Sequence, residues 1–404
     1  MIEVERAANL SLTNLSLETR IVEGLGRVLG SPEAKLSLHE PTFRGREWDY
    51  VKECLDTGWV SSVGKFVDRF EKMLSEICQV PYAVAAVNGT AALQMAGLVA
   101  EVKAGDEVLI PALTFVATTN AFTYLGAIAH FVDSEAQTLG VCPEKLRSYL
   151  LKISVLRGGE CFNRATGRRI RALVVMHAFG HPARIEELAE VAREFSLVLI
   201  EDSAEAIGSK LGGRHLGSHG LISTLSFNGN KIITTGGGGA LLFRDEKLAK
   251  RAKHLSTTAK VPHAWEFEHD EVGYNFRLPN LNAALGCAQL EQLPVFLAKK
   301  RRLAHAYRAE FANEPRVRFL DEPKGAESNF WLNAIVLREP NLATRDQILA
   351  ATNAAGFMTR PTWRLMHELP MYAANPRDDL SVAEGLEASI VNIPSSVILE
   401  ERLA

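Results

Sequence analysis

Apolar runs of strand length recur along this chain at intervals that each leave room for one amphipathic helix, and this alternation restricts the fold more than any other feature. The runs fall at residues 83–87, 107–110, 172–177, 197–201, 224–227 and 240–243. Between them, 91–102, 185–195 and 246–255 carry apolar residues at three- and four-residue spacing, as crossover helices do. The pattern predicts an α/β fold whose large domain holds a mainly parallel sheet, with strands too apolar to face water.

Further along, 281–290 and 296–311 read as helical, with Pro294 between them as a kink or break. A strand at 331–337 and a helix at 344–355 then predict a small C-terminal α+β domain. The division is therefore a helical N-terminal extension over 1–38, a large domain over 39–290 and a small domain over 291–404. A chain of 404 residues, 47% hydrophobic and 23% charged, has the apolar material for two such cores.

Charge and cysteine content narrow the partners. A net charge of -3 offers no basic field for a phosphate backbone, so nucleic acid is excluded as a partner while a small anionic ligand is not. Cys54, Cys78, Cys142, Cys161 and Cys287 are odd in number and widely spaced, without a CxxC pair. They predict reduced thiols, a cytoplasmic setting and no metal site. No stretch reaches the eighteen apolar residues of a membrane span, and acids interrupt the apolar positions of the first thirty residues, unlike a signal peptide.

The chemistry concentrates around Lys231. It lies between the apolar run ending at Phe227 and the tract Gly236 to Gly239, twenty-nine positions after Asp202. A lysine on a constrained loop beside apolar segments suits covalent capture of an aldehyde, although solvated lysines are far commoner and the residue alone would not decide the matter. Three other signals accompany it. Gly89, Thr90 and Ala91 follow an apolar run and open a helix, where free backbone N–H groups can hold an anion. Asp202 ends a run too apolar to be exposed, at the edge of the sheet where ligands bind, and a buried carboxylate there needs a cationic partner. Phe115 offers a ring face. An anion cradle, an acid for a ring nitrogen, a lysine and an aromatic face together meet the needs of pyridoxal 5'-phosphate (PLP).

With these motifs the chain, from about residue 38 onward, resembles the DegT, DnrJ, EryC1 and StrS sugar aminotransferases, fold type I PLP-dependent enzymes of the aspartate aminotransferase-like class. The resemblance implies that Thr90 and Ala91 give N–H groups to the phosphate, that Ser226 binds it by its hydroxyl, and that Phe115 stacks on the ring. It further implies that Asp202 pairs with the ring nitrogen, that Lys231 carries the cofactor, and that Asn275 reaches the phosphate of a neighbouring subunit in a homodimer. Two positions depart from the commoner pattern. Glu205 stands where many members have glutamine beside the cofactor's 3-oxygen, so it should be protonated or differently partnered, and Gly237 stands where a glutamate often occurs.

The stretch 259–270, with 226–239 and 280–286, looks most like the LegC-like subgroup. That implies transfer of the amine of L-glutamate, through pyridoxamine phosphate (PMP), to C4 of a nucleotide-linked 4-keto-6-deoxy sugar. The sugar would be UDP-linked and N-acetylated, for legionaminic acid, bacillosamine or lipopolysaccharide-type glycans. A GDP-perosamine-type synthase acting on GDP-4-keto-6-deoxymannose is the alternative, and a non-catalytic PLP-binding regulator a further one. A PLP-dependent sugar dehydratase would replace the lysine by histidine, and a dehydrogenase would need a GxGxxG turn that Gly236 to Gly239 do not make. His177, His181, His263, Trp265, His269, Arg277, Arg360, Trp363 and His367 remain open between substrate contact and packing.

Overall fold

The computed structural model describes residues 15–403. Seven strands form the spine of the large domain: β1 (Tyr82–Ala86), β2 (Glu107–Pro111), β3 (Ile128–Val132), β4 (Arg169–Met176), β5 (Val198–Asp202), β6 (Ile222–Ser226) and β7 (Gly239–Phe243). Their order is β1-β7-β6-β5-β4-β2-β3. From β3 to β6 the neighbours are parallel, and β7 and β1 close the edge antiparallel, so the sheet is mixed around a parallel centre. A hairpin, Ser154–Arg157 with Glu160–Asn163, pairs alongside the start of β4.

Helices cover both faces, which is why these strands are apolar without alternation. All five residues of β2 and of β7 are buried. The strands anticipated from apolar runs fall within a few residues of those observed. β3 was not anticipated, because His130 interrupts its run. The fold satisfies that imidazole inside the core: Nδ1 lies 2.9 Å from Glu107 Oε2 and Nε2 2.8 Å from the Tyr149 hydroxyl.

Of the kink or break expected at Pro294, the break does not occur. Asn280–Phe311 is one helix of 32 residues with Pro294 inside it. A proline removes one intrahelical bond, but here tertiary packing compensates. The first half of the helix lies against Glu47–Thr57 and Lys65–Cys78, and the second half against Leu17–Leu29 and Val397–Arg402.

That second half also anchors a four-stranded antiparallel sheet, Val317–Phe319, Asn333–Leu337, Ile390–Ile393 and Arg360–Pro361 in that order. Of the N-terminal extension, residues 1–14 lie outside the described residues. The helix Leu17–Leu29 buries Leu17, Ile21 and Leu25 in one cluster with Leu303, Tyr307, Phe311, Ile335 and Ile348. It is thus packed into the core of the small sheet, and Arg20 pairs with Glu310 at 2.7 Å across that contact. All five cysteines are free thiols, and no helix among the described residues is long and apolar enough to cross a membrane.

Candidate active site

The carboxyl ends of β5 and β6 and the start of the helix Gly89–Val99 converge on a cavity of about 340 Å³. Asp202 is the last residue of β5 and only 2% exposed. Its Oδ2 accepts from the Thr118 hydroxyl at 2.7 Å and its Oδ1 from the Ala204 N–H at 3.1 Å. Burial pushes its carboxyl above the usual aspartate range, against these two bonds and the nearby Lys231 charge. An ionised carboxylate has about four acceptor positions, so room remains for one cationic donor.

Lys231 sits on the loop between β6 and β7. Bonds from Phe227 N–H to Gly238 carbonyl (2.8 Å) and from Thr235 N–H to Phe227 carbonyl (3.0 Å) close that loop at its base. The lysine Nζ lies 3.1 Å from Glu205 Oε1 and 3.8 Å from the centre of the Trp331 ring. Glu205 is itself buried, and its Oε2 accepts from the Phe179 N–H at 2.8 Å. Burial raises its carboxyl from the ordinary value, opposed by Lys231 and reinforced by Asp202.

The anion cradle is built by Gly89. A side-chain Cβ there would come 2.8 Å from the Ser226 Cβ, so only glycine lets the helix start this close to β6. Asn88 caps the helix, its Oδ1 accepting from the Ala91 N–H at 2.8 Å. This corrects one expectation: the Ala91 N–H is already engaged and Ala91 does not line the cavity. Among the described residues the N–H groups of Gly89 and Thr90 have no protein acceptor, and the Ser226 hydroxyl faces the same space. Phe115, 51% exposed, caps the helix Val116–Thr123 at the cavity's open side.

The fold therefore brings together Gly89, Thr90, Phe115, Asp202, Glu205, Ser226 and Lys231. Free N–H groups and a hydroxyl for a phosphate, a ring face, an acid for a pyridine nitrogen and an amine for an aldehyde make a donor set that fits PLP. Asn275 is exposed and outside this chain's own cavity. Of the looser candidates only Trp363 lines it, its ring tilted against that of Phe179 with centroids 5.0 Å apart. His177 and His181 are fully buried elsewhere, on Glu201 and Ser328. His263 and Arg277 border a separate open hollow, and Arg360 another.

Residues 41–402 match the DegT/DnrJ/EryC1/StrS aminotransferase family. The chain belongs to this family. It is 36% identical over 368 residues to the GDP-perosamine synthase of Caulobacter vibrioides, across 91% of this chain and 95% of that one. Among solved structures, the aminotransferase TlmJ of Streptoalloteichus hindustanus shares 27% identity at a TM-score of 0.80, over 89% of this chain and 93% of that one. Spr1654 of Streptococcus pneumoniae, solved in its PLP form, shares the fold at a TM-score of 0.81 and 23% identity, over 91% of this chain and 98% of that one. As a DegT/DnrJ/EryC1/StrS enzyme of fold type I, the protein is a PLP-dependent aminotransferase.

Sequence reading missed three participants of this family member's site. Thr118, on the helix after Phe115, holds Asp202; its spacing of three from Phe115 was the available signal. Trp331 was read as the start of a strand, but that strand begins at Asn333 and frees the indole for the site. Asn230 donates no side chain to that indole, yet its carbonyl accepts the Trp331 N–H at 2.8 Å, which no sequence pattern announces.

Proposed function

We propose that this aminotransferase moves the amine of L-glutamate to C4 of a nucleotide-linked 4-keto-6-deoxy sugar, with Lys231 as the residue that links the cofactor and carries the proton. One observation supports the chemistry above the others: the Lys231 amine is held between Glu205 and Trp331 in a cavity that Asp202 also lines. When bound, PLP supplies an electrophilic aldehyde and an electron-accepting ring.

The protein's own residues then have distinct tasks. The Gly89 and Thr90 N–H groups and the Ser226 hydroxyl hold the phosphate, Phe115 covers one ring face, and Asp202, oriented by Thr118, keeps the pyridine nitrogen protonated. Glu205, whose carboxyl burial raises above the ordinary glutamate value, would face the 3-oxygen and donate to it when protonated. The Lys231 amine, once free, would take a proton from the donor carbon and deliver it to the cofactor carbon on the other side of the shared nitrogen, and would run the same transfer in reverse for the acceptor. Asn275 completes the phosphate site from the partner of a homodimer, its exposure on a single chain being what such a role requires.

For the acceptor, the relative named a GDP-perosamine synthase favours GDP-4-keto-6-deoxymannose. The 259–270 stretch favours the UDP-linked, N-acetylated sugar of the LegC-like reading. The test has two stages. The visible absorbance of the protein with PLP is recorded before and after L-glutamate; its replacement by near-ultraviolet absorbance establishes the first half-reaction. Each keto sugar nucleotide is then added, and restoration of the visible band identifies the acceptor. A spectrum indifferent to L-glutamate and to both sugars would leave a PLP-binding regulator as the better reading.

A further inference from the structure

We propose that Trp331 is a further catalytic residue: its indole face holds the Lys231 amine in the protonated form that it takes between its two proton transfers, and Lys300 is the positioning residue that fixes the indole there. The proposal rests on the PLP-dependent reading of the site. Its starting point is a residue that reading leaves unused.

Lys300 is fully buried in the middle of the long helix, and among the described residues no carboxylate pairs with it. Its Nζ instead donates to two main-chain carbonyls, that of Trp331 at 3.1 Å and that of Ser395 at 2.5 Å. A lysine in a dry core without an acid is expensive, so a specific task is the natural explanation for keeping one there. The two carbonyls belong to different segments of the small domain. Around them the Tyr307 hydroxyl donates to the Pro394 carbonyl at 2.8 Å, and the Ser395 N–H to the Leu38 carbonyl at 2.6 Å. The helix thereby ties residues 38, 331 and 394–395 into one block.

Trp331 is the only member of that block that reaches the site's lysine. Its carbonyl is held from behind by Lys300, its N–H is fixed on the Asn230 carbonyl at 2.8 Å, and its ring centre stands 3.8 Å from Lys231 Nζ. An ammonium over an indole face at that distance is attracted by the ring quadrupole, more so where water is scarce; the Lys231 side chain is 13% exposed. The other titratable groups facing this amine are Glu205 in contact, Asp202 across the cavity and the imidazole of His39. Glu205 attracts the charge strongly only when ionised, and burial opposes its ionisation. The indole attracts it at every pH. A proton carrier that must hold its proton between two transfers gains from a partner of that kind.

The test reads Lys231 directly. The full chain, with pyridoxamine phosphate bound so that the lysine is free, is trace-labelled with acetic anhydride across a pH series; mass spectrometry gives the extent of reaction at Lys231. The series is repeated without the cofactor. Trp331→Leu should move the midpoint of labelling down by about 0.5–1 pH unit, and Trp331→Phe by less, since a smaller ring face remains. Lys300→Met should shift it in the same direction while Trp331 is still present. A Trp331→Leu profile that keeps its midpoint overturns the proposal, even if the amplitude rises through easier access. A Lys300→Met midpoint equal to the parent's removes Lys300 from the scheme. Neither result depends on which sugar is aminated, so failure here and failure of the substrate reading are separate outcomes.

Discussion

Glu201 and Asp202 are consecutive residues at the end of β5, both carboxylates and both buried, yet they face opposite sides of the sheet and meet opposite fates. Glu201 is saturated. Its Oε2 lies 3.0 Å from His177 Nε2 and accepts from the Gly217 N–H at 2.8 Å, while Oε1 accepts the N–H groups of His219 (2.7 Å) and Gly220 (2.5 Å). His177 Nδ1 accepts from the Ala183 N–H at 3.1 Å, which places the ring proton on Nε2, toward the acid. Burial alone would raise the Glu201 carboxyl, but His177 and the backbone donors outweigh it and hold it at about 2. Among the described residues Asp202 has only the Thr118 hydroxyl and the Ala204 N–H, and its carboxyl is pushed up. Burial of an acid therefore does not mark the functional side of the strand. Acceptor capacity left over by the protein's own donors does: they saturate Glu201 and leave acceptor positions on Asp202.

The comparison is broken most completely at Lys231. Lys231→Ala removes the amine that the open face presents, and turnover should fall below detection while the far-ultraviolet circular dichroism is unchanged. Retained turnover would remove the assignment altogether.

Exchange of the two acids separates stability from catalysis. Asp202→Asn should lower kcat/KM by about 10²–10³-fold, with a melting temperature equal to or above the parent's because an incompletely paired buried carboxylate is gone. Glu201→Leu should do the reverse, losing about 3–5 kcal/mol of stability by stranding three N–H groups and His177, with activity per folded molecule preserved. If both substitutions destabilise equally, the two faces are not different in kind.

Acid titration sharpens the same contrast. Because Glu201 is held at about 2 in the folded chain against an ordinary 4.5, its contribution to stability is present above about pH 4.5 and is lost as pH falls toward 2. That contribution is of the order of 3 kcal/mol. Asp202 and Glu205 have raised values, so what they contribute is present at low pH and lost as pH rises through their folded values. Chemical denaturation of Glu201→Gln between pH 2 and 6 should show a flatter stability curve than the parent, and of Asp202→Asn a steeper rise toward neutrality. Parallel curves would mean that the donors around Glu201 do not govern its ionisation.

Much of this site was legible because its parts are local. The glycine that opens the cradle helix, the acid closing an apolar run and the lysine before a glycine tract are each read within a few residues, and the α/β alternation places them at one edge of a sheet. What escaped depends on contacts across the chain. Trp331 meets Lys231 over a separation of one hundred residues, Asn88 takes the Ala91 N–H by a choice of cap, and Pro294 stays helical because both halves of its helix are packed. The helix Leu17–Leu29 reads as an appendage in sequence, since its partners Leu303, Tyr307 and Ile348 lie some three hundred residues away.

The smallest expected effect concerns the residue that departs from the family's commoner glutamine. Glu205 is fixed by the Phe179 N–H on one oxygen and faces Lys231 with the other, so it is positioned whether or not it is charged. In the proposed site a protonated Glu205 would donate to the cofactor's 3-oxygen as a glutamine amide would, which is why Glu205→Gln should change kcat by less than about tenfold. As pH rises through its raised value, the proton leaves and an anion is set against that oxygen. The parent should therefore lose activity on the alkaline side by a step that glutamine cannot show. Measured kcat/KM profiles should coincide at low pH and diverge at high pH, with Glu205→Gln the more active there. Profiles that fall together at high pH would place the limiting ionisation on another group, leaving Glu205 as an anchor for Lys231 rather than a donor to the cofactor.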